Sequence, residues 1–133
     1  MNASTRAERE QIAPPVTFTL NGQQVTGQGA ETIIEIADRL GVSIPRLCYK
    51  PGLDAVGNCR SCMVEIKGER VLAASCCRTP SAGMQVTTDS PRAVKAQQMV
   101  TELLQSDLPE QAHTRHNEVD EWADKLAVGK PRF

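Results

Sequence analysis

All five cysteines of this 133-residue chain fall between positions 48 and 77, in the pattern C-x10-C-x2-C-x13-C-C. The stretch between the first and third of them, residues 49–61, contains Pro51, Gly52 and Gly57, so neither a helix nor a strand can run through it. The rest of the chain therefore has to build a scaffold around an irregular, thiol-rich loop. An odd number of cysteines leaves one over from any complete set of disulfides. The N-terminal residues M-N-A-S-T-R-A-E-R-E-Q lack the apolar core of a secretory signal, which predicts a cytoplasmic location. Thiols stay reduced there, and clustered cysteines then point to metal or redox chemistry rather than to structural bridges.

Each such chemistry asks for different surroundings. A thioredoxin-like C-x-x-C opens a helix, whose N-terminus lowers the thiol pKa. Cys59-Arg60-Ser61-Cys62 instead runs into the strand-like Met63-Val64-Glu65-Ile66. A nucleophilic cysteine needs a general base, and both histidines, His113 and His116, lie far off in a polar tail. A structural zinc site takes two well-separated short-spaced pairs, whereas here Cys48 stands alone and Cys76 and Cys77 adjoin.

An iron–sulfur cluster fits the spacing better, because its plant-type pattern places three ligands on one loop and a fourth far along the chain. The C-x2-C gap predicts that Cys59 and Cys62 grip one iron, with thiolates from two separate points on the other. Zinc remains open on spacing alone, since both metals accept four thiolates. The fourth ligand is open too, because a strand continuing through Cys76 and Cys77 would turn them to opposite faces. A four-thiolate cluster is anionic and calls for inward-turned amides. Gly52 and Gly57 permit that backbone, and Asn58 and Arg60 are candidates to add donors or offset charge.

Along the chain, residues 1–15 read as a flexible leader that ends in Pro14-Pro15. Residues 16–20 and 23–26 predict a hairpin around Asn21-Gly22, with Gly27 and Gly29 releasing the chain. Residues 31–40 predict a helix with a stripe of Ile33, Ile34, Ala37 and Leu40 and a Gly41 cap. Short strands follow at 63–66, 70–74 and 84–87. A helix over 91–106 is capped by Ser90 and carries Val94, Met99, Val100, Leu103 and Leu104 on one side. A last short helix spans 119–126, and Trp122 in that polar tail favours contact with another group. The mixture indicates an α+β fold. Aromatic residues make up only 3% of the chain and the net charge is -1, so nucleic acid is not an expected partner. No apolar run reaches the roughly 20 residues of a membrane span, so no membrane insertion is expected.

Three stretches resemble a known group. They are T-I-I-E-I-A-D-R-L-G-V-S-I-P-R-L-C-Y, then L-D-A-V-G-N-C-R-S-C-M-V-E-I-K-G, then L-A-A-S-C with G-M-Q-V-T-T-D-S. They are similar to the N-terminal [2Fe-2S] ferredoxin domain shared by the large iron–sulfur subunit of respiratory complex I, iron-only hydrogenases and NAD-dependent molybdenum formate dehydrogenases. The resemblance implies a β-grasp fold, a mixed sheet around one helix, over residues 16–90, with a helical extension and polar tail over 91–133. It implies metal ligands at Cys48, Cys59, Cys62 and Cys76 and leaves Cys77 as a spare thiol. Gly57, Asn58 and Arg60 border that site.

Many relatives continue with a histidine and three cysteines that hold a further cluster. No cysteine follows Cys77 here, so His113 and His116 cannot complete such a site. The tail is most similar to formate dehydrogenase large subunits, which implies an electron-transfer domain or small subunit working with molybdopterin-containing and flavin/iron–sulfur subunits, and no catalytic site of its own. A free-standing ferredoxin and a zinc-stabilised assembly module are the alternatives.

Overall fold

Asn21 and Gly22 both adopt positive φ, 51° and 83°, which is the twist that joins two strands through a two-residue turn. In the computed structural model, which describes residues 14–28, 30–51, 56–107 and 117–129, this turn links β1 (Val16–Leu20) to β2 (Gln23–Gly27) in antiparallel register. Phe18 and Leu20 alternate into the core. Gly27 ends β2 in an ordinary backbone conformation and works by closeness instead: a Cβ there would lie 2.9 Å from Ile36 Cδ1. Gly29, residues 1–13 of the leader and both histidines lie outside the described residues.

Helix α1 (Ile33–Arg39) is closed at both ends. The Glu35 carboxylate accepts from the Thr32 hydroxyl at 3.0 Å and its amide at 3.4 Å. At the other end Gly41 takes a φ of 79°, and the Gly41 and Val42 amides return to the carbonyls of Asp38 and Ala37. The expected apolar stripe is corrected by one member. Leu40 is the exposed C-cap, and Ile36 is buried with Ile33, Ile34 and Ala37.

Three more strands, β3 (Met63–Ile66), β4 (Ala73–Ala74) and β5 (Gln85–Thr87), complete a sheet in the order β2-β1-β5-β3-β4. β1 and β5 are parallel and the other neighbours antiparallel. The core lies between this mixed sheet and α1, where Phe18, Ile33, Ile34, Ile36, Ile44, Val64 and Val86 meet. The fold is α+β, a β-grasp. The strand expected over 70–74 shrinks to two residues, and the Arg70 carbonyl before it accepts from the Arg92 guanidinium.

Helix α2 (Pro91–Ser106) starts as expected, with the Ser90 hydroxyl accepting from the Ala93 amide at 3.1 Å. Its inward face differs from the expectation. Ala93, Gln97 and Thr101 are buried, while Met99 is 41% and Leu103 50% exposed. The side-chain amide of Gln97 donates to the carbonyls of Met63 at 2.9 Å and Thr88 at 3.0 Å, so two backbone acceptors select a polar residue for the contact. Helix α3 (Glu118–Lys125) packs on α2, with Ala123 buried and Gln98 donating to the Leu126 carbonyl at 2.8 Å. The Lys125 ammonium lies over the half-buried Trp122 ring, 4.5 Å from its centre.

Gln97→Leu keeps the volume and strands both carbonyls. It should lower stability by about 1–3 kcal/mol, read as a lower denaturation midpoint, whereas a strictly hydrophobic contact would leave the midpoint level or raise it.

Candidate metal centre

The cysteine loop is anchored before its first thiol. Arg46 clamps both oxygens of Asp38 on α1 at 2.5 Å and lies 5.7 Å from the centre of the buried Tyr49 ring. The hydrogen bond to Asp38 holds the Arg46 guanidinium above its usual pKa, against the opposing effect of burial. Cys48 is thereby held between a salt bridge and a core aromatic. Residues 52–55, including Gly52, lie outside the described residues.

Where the loop returns, Gly57 and Arg60 take the left-handed conformation, with φ of 68° and 59°. Left-handed residues of this kind turn neighbouring amides toward an anion. Two amides do meet sulfur: the Cys59 N–H donates to Cys48 Sγ at 3.5 Å and the Ser61 N–H to Cys59 Sγ at 3.4 Å. Burial pushes the Cys59 thiol up, but its hydrogen bonds with Cys48 and Ser61 outweigh that and bring it below the ordinary value. Asn58 and Arg60 are exposed, at the rim, whereas Gly57 is buried.

The second thiol segment is tied to the first through backbone. Ser75 donates twice to the Cys62 carbonyl, from its amide at 3.1 Å and its hydroxyl at 2.7 Å. The carbonyls of Ser75 and Arg78 in turn accept from the first amides of α1, Ile34 at 3.0 Å and Ile33 at 2.9 Å, so helix donors that lack partners within the helix are satisfied by this loop. Cys62 and Cys76 are each 1% exposed. Burial, and next the neighbouring Cys62, push the Cys76 thiol far up.

The expected alternation of Cys76 and Cys77 along a strand does not occur. The strand ends at Ala74, and the amides of Cys77 and Arg78 close a turn on its carbonyl. Cys77 is exposed, yet its sulfur stays 3.6 Å from that of Cys76.

Cys48 and Cys59 are joined by the amide-to-sulfur contact, and Ser75 brings the segment of Cys76 against that of Cys62. Among the described residues, no three Cys, His, Asp or Glu side chains gather as a single-ion site. A two-iron cluster makes no such demand, since each iron takes two thiolates. The donor set of four soft sulfurs with amides aimed at them fits such a group.

Sequence reasoning missed Ser75, whose role shows only once the two segments meet. It also missed Arg46 and Arg78. Arg78 holds both oxygens of Glu69, at 3.0 and 2.5 Å, and braces the turn after Cys77.

A Cβ at position 57 would lie 2.9 Å from Cys77 Sγ, on a backbone with φ of 68°. Gly57→Ala should therefore lower the thermal midpoint, at a cost of about 1–2 kcal/mol for the left-handed backbone plus the displaced sulfur. Adding Cys77→Ala should restore only the second part, and full restoration would show that backbone strain is absent.

Residues 13–91 match the family of 2Fe-2S iron-sulfur cluster binding domains. The chain is 45% identical over 91 residues to a subunit of the NADH-quinone oxidoreductase of Streptomyces coelicolor, a match covering 67% of this chain and 11% of that protein. It is 42% identical over 94 residues to the mitochondrial NADH-ubiquinone oxidoreductase 78 kDa subunit of Candida albicans, covering 71% and 13%. The chain thus spans about a tenth of the length of these curated relatives. A chain from the crystal structure of an NAD+-reducing [NiFe]-hydrogenase superposes with a TM-score of 0.77 at 26% identity, covering 89% of this chain and 51% of that one. The match over more than half of the sequence decides between the two metals left open by cysteine spacing. The chain belongs to the 2Fe-2S iron-sulfur cluster binding domain family, and its cofactor is a [2Fe-2S] cluster.

Proposed function

We propose that Cys48, Cys59, Cys62 and Cys76 are the four ligands of the cluster, and that this domain carries single electrons within an NAD-linked, multi-subunit oxidoreductase. The observation that carries the assignment is that backbone amides are aimed at the Cys48 and Cys59 sulfurs while the two Ser75 bonds to the Cys62 carbonyl bring the Cys76 segment against Cys62. An anionic cluster held by four thiolates asks for that arrangement. The cluster, when bound, takes up and gives off one electron at a time.

The residues around it divide the work. Cys62 and Cys76 lie in the core and anchor the inner side. Cys48 and Cys59 are partly exposed, so electrons pass most readily through their side, near residues 49–61. The amides of Cys59 and Ser61 stabilise negative charge on sulfur. Gly57 keeps the backbone close, while the exposed Arg60 and Asn58 offer a cationic and a polar group to a docking partner. Residues 16–90 form the cluster domain. Residues 91–133 extend it, with α2 packed on β3 through Gln97.

The parent complex is a molybdenum formate dehydrogenase, with molybdopterin-containing and flavin/iron–sulfur subunits as partners. The similarity of the tail to those large subunits supports this, while the NADH- and NAD+-linked relatives support only the NAD-linked setting. A cytoplasmic location, where cysteine thiols stay reduced, suits a thiolate-held cluster. Among the described residues, no helix is long and apolar enough to cross a membrane.

Cys59→Ser should remove most of the visible iron–sulfur absorbance of anaerobically purified protein and lower its melting temperature, because cluster binding and folding are coupled. Unchanged absorbance would exclude Cys59 as a ligand. Affinity purification from the native host should bring down a molybdenum-containing subunit, and recovery with neither molybdenum nor flavin would favour a free-standing carrier.

A further inference from the structure

The Ser61 hydroxyl is buried, with the residue 1% exposed, and has no hydrogen-bond partner among the described residues. Leaving a buried hydroxyl unsatisfied is unfavourable, and alanine would occupy nearly the same space without that cost. Its place in the chain is specific. It stands two residues after Cys59 and directly before Cys62, and its own amide is engaged with Cys59 Sγ at 3.4 Å. The backbone thus pins the residue against the thiols while the side chain finds no acceptor among the described residues. The family's cofactor supplies anionic sulfur on the spot as an acceptor.

We propose that the Ser61 hydroxyl donates a hydrogen bond to a sulfur of the bound cluster and thereby holds its reduction potential up. The inference rests on the reading of Cys59 and Cys62 as ligands. Reduction adds one negative charge to the cluster, so a donor aimed at sulfur favours the reduced form over the oxidised one. Rotation about a single side-chain torsion, among its staggered positions, brings the hydroxyl to bear once the acceptor arrives.

The test is a redox titration of the anaerobically purified, cluster-loaded full chain, with dithionite as reductant and visible absorbance and paramagnetic resonance as readouts. Ser61→Ala should keep its iron and sulfide while its midpoint potential moves down. The expected change in the reduction equilibrium is up to about tenfold, or about 59 mV for one electron. Ser61→Thr, which keeps the hydroxyl, should stay close to the unaltered protein. Where Ser61→Ala loads poorly, Ser61→Gly removes the same group and is compared with Ser61→Thr. Equal potentials across fully loaded variants, with only the melting temperature changed, would overturn the proposal and assign the hydroxyl to a buried water. An unaltered protein that binds no iron and sulfide would instead defeat the ligand assignment itself.

Discussion

The double hydrogen bond from Ser75 to the Cys62 carbonyl is the contact on which the rest of the centre depends. It joins the end of the long cysteine loop to the turn that carries Cys76, two segments separated by a hairpin. Each such bond is worth about 1 kcal/mol net, but its larger effect is geometric, because it sets the distance between two thiols that sequence alone leaves free. The Ser75 carbonyl passes the constraint to α1 through the Ile34 amide. The helix start, the C-x2-C motif and the fourth thiol therefore form one unit, and the helix is part of the centre rather than a support behind it.

That unit explains why the core is built as it is. Ile33, Ile34, Ile36 and Ala37 bury α1 against the sheet, and burial of this kind holds the helix where its first amides meet the loop. Gly27 lets β2 approach Ile36, and the small pair Ala73 and Ala74 lets β4 end close under the turn. The salt bridges Arg46 to Asp38 and Arg78 to Glu69 add direction on the rim, each through two parallel bonds, though partly exposed pairs contribute only modestly to stability.

The extension after the sheet follows a different logic. A polar residue, Gln97, forms the contact of α2 with the sheet, and apolar Met99 and Leu103 are left outward. The reason is local: Met63 and Thr88 present carbonyls there that need donors. α3 then closes over α2, and its Glu118 pairs with Lys50 in the cysteine loop. The tail is thus linked back to the loop that follows Cys48.

Much of this was legible in the sequence, and for stated reasons. Asn21-Gly22 dictates its turn, Gly41 its cap and Ser90-Pro91 its helix start, because each depends only on neighbouring backbone. The C-x10-C-x2-C-x13-C spacing, with the polar setting of the histidines, favours a thiol-held iron–sulfur cluster and leaves only zinc open beside it. How the two cysteine segments meet was decided by the tertiary structure, as was the choice of Gln97 over an apolar stripe and a Ser61 hydroxyl with no partner among the described residues. These depend on groups brought together from distant parts of the chain: spacing counts residues along the backbone, and hydrogen-bond satisfaction and sulfur proximity are settled only when the separate segments pack.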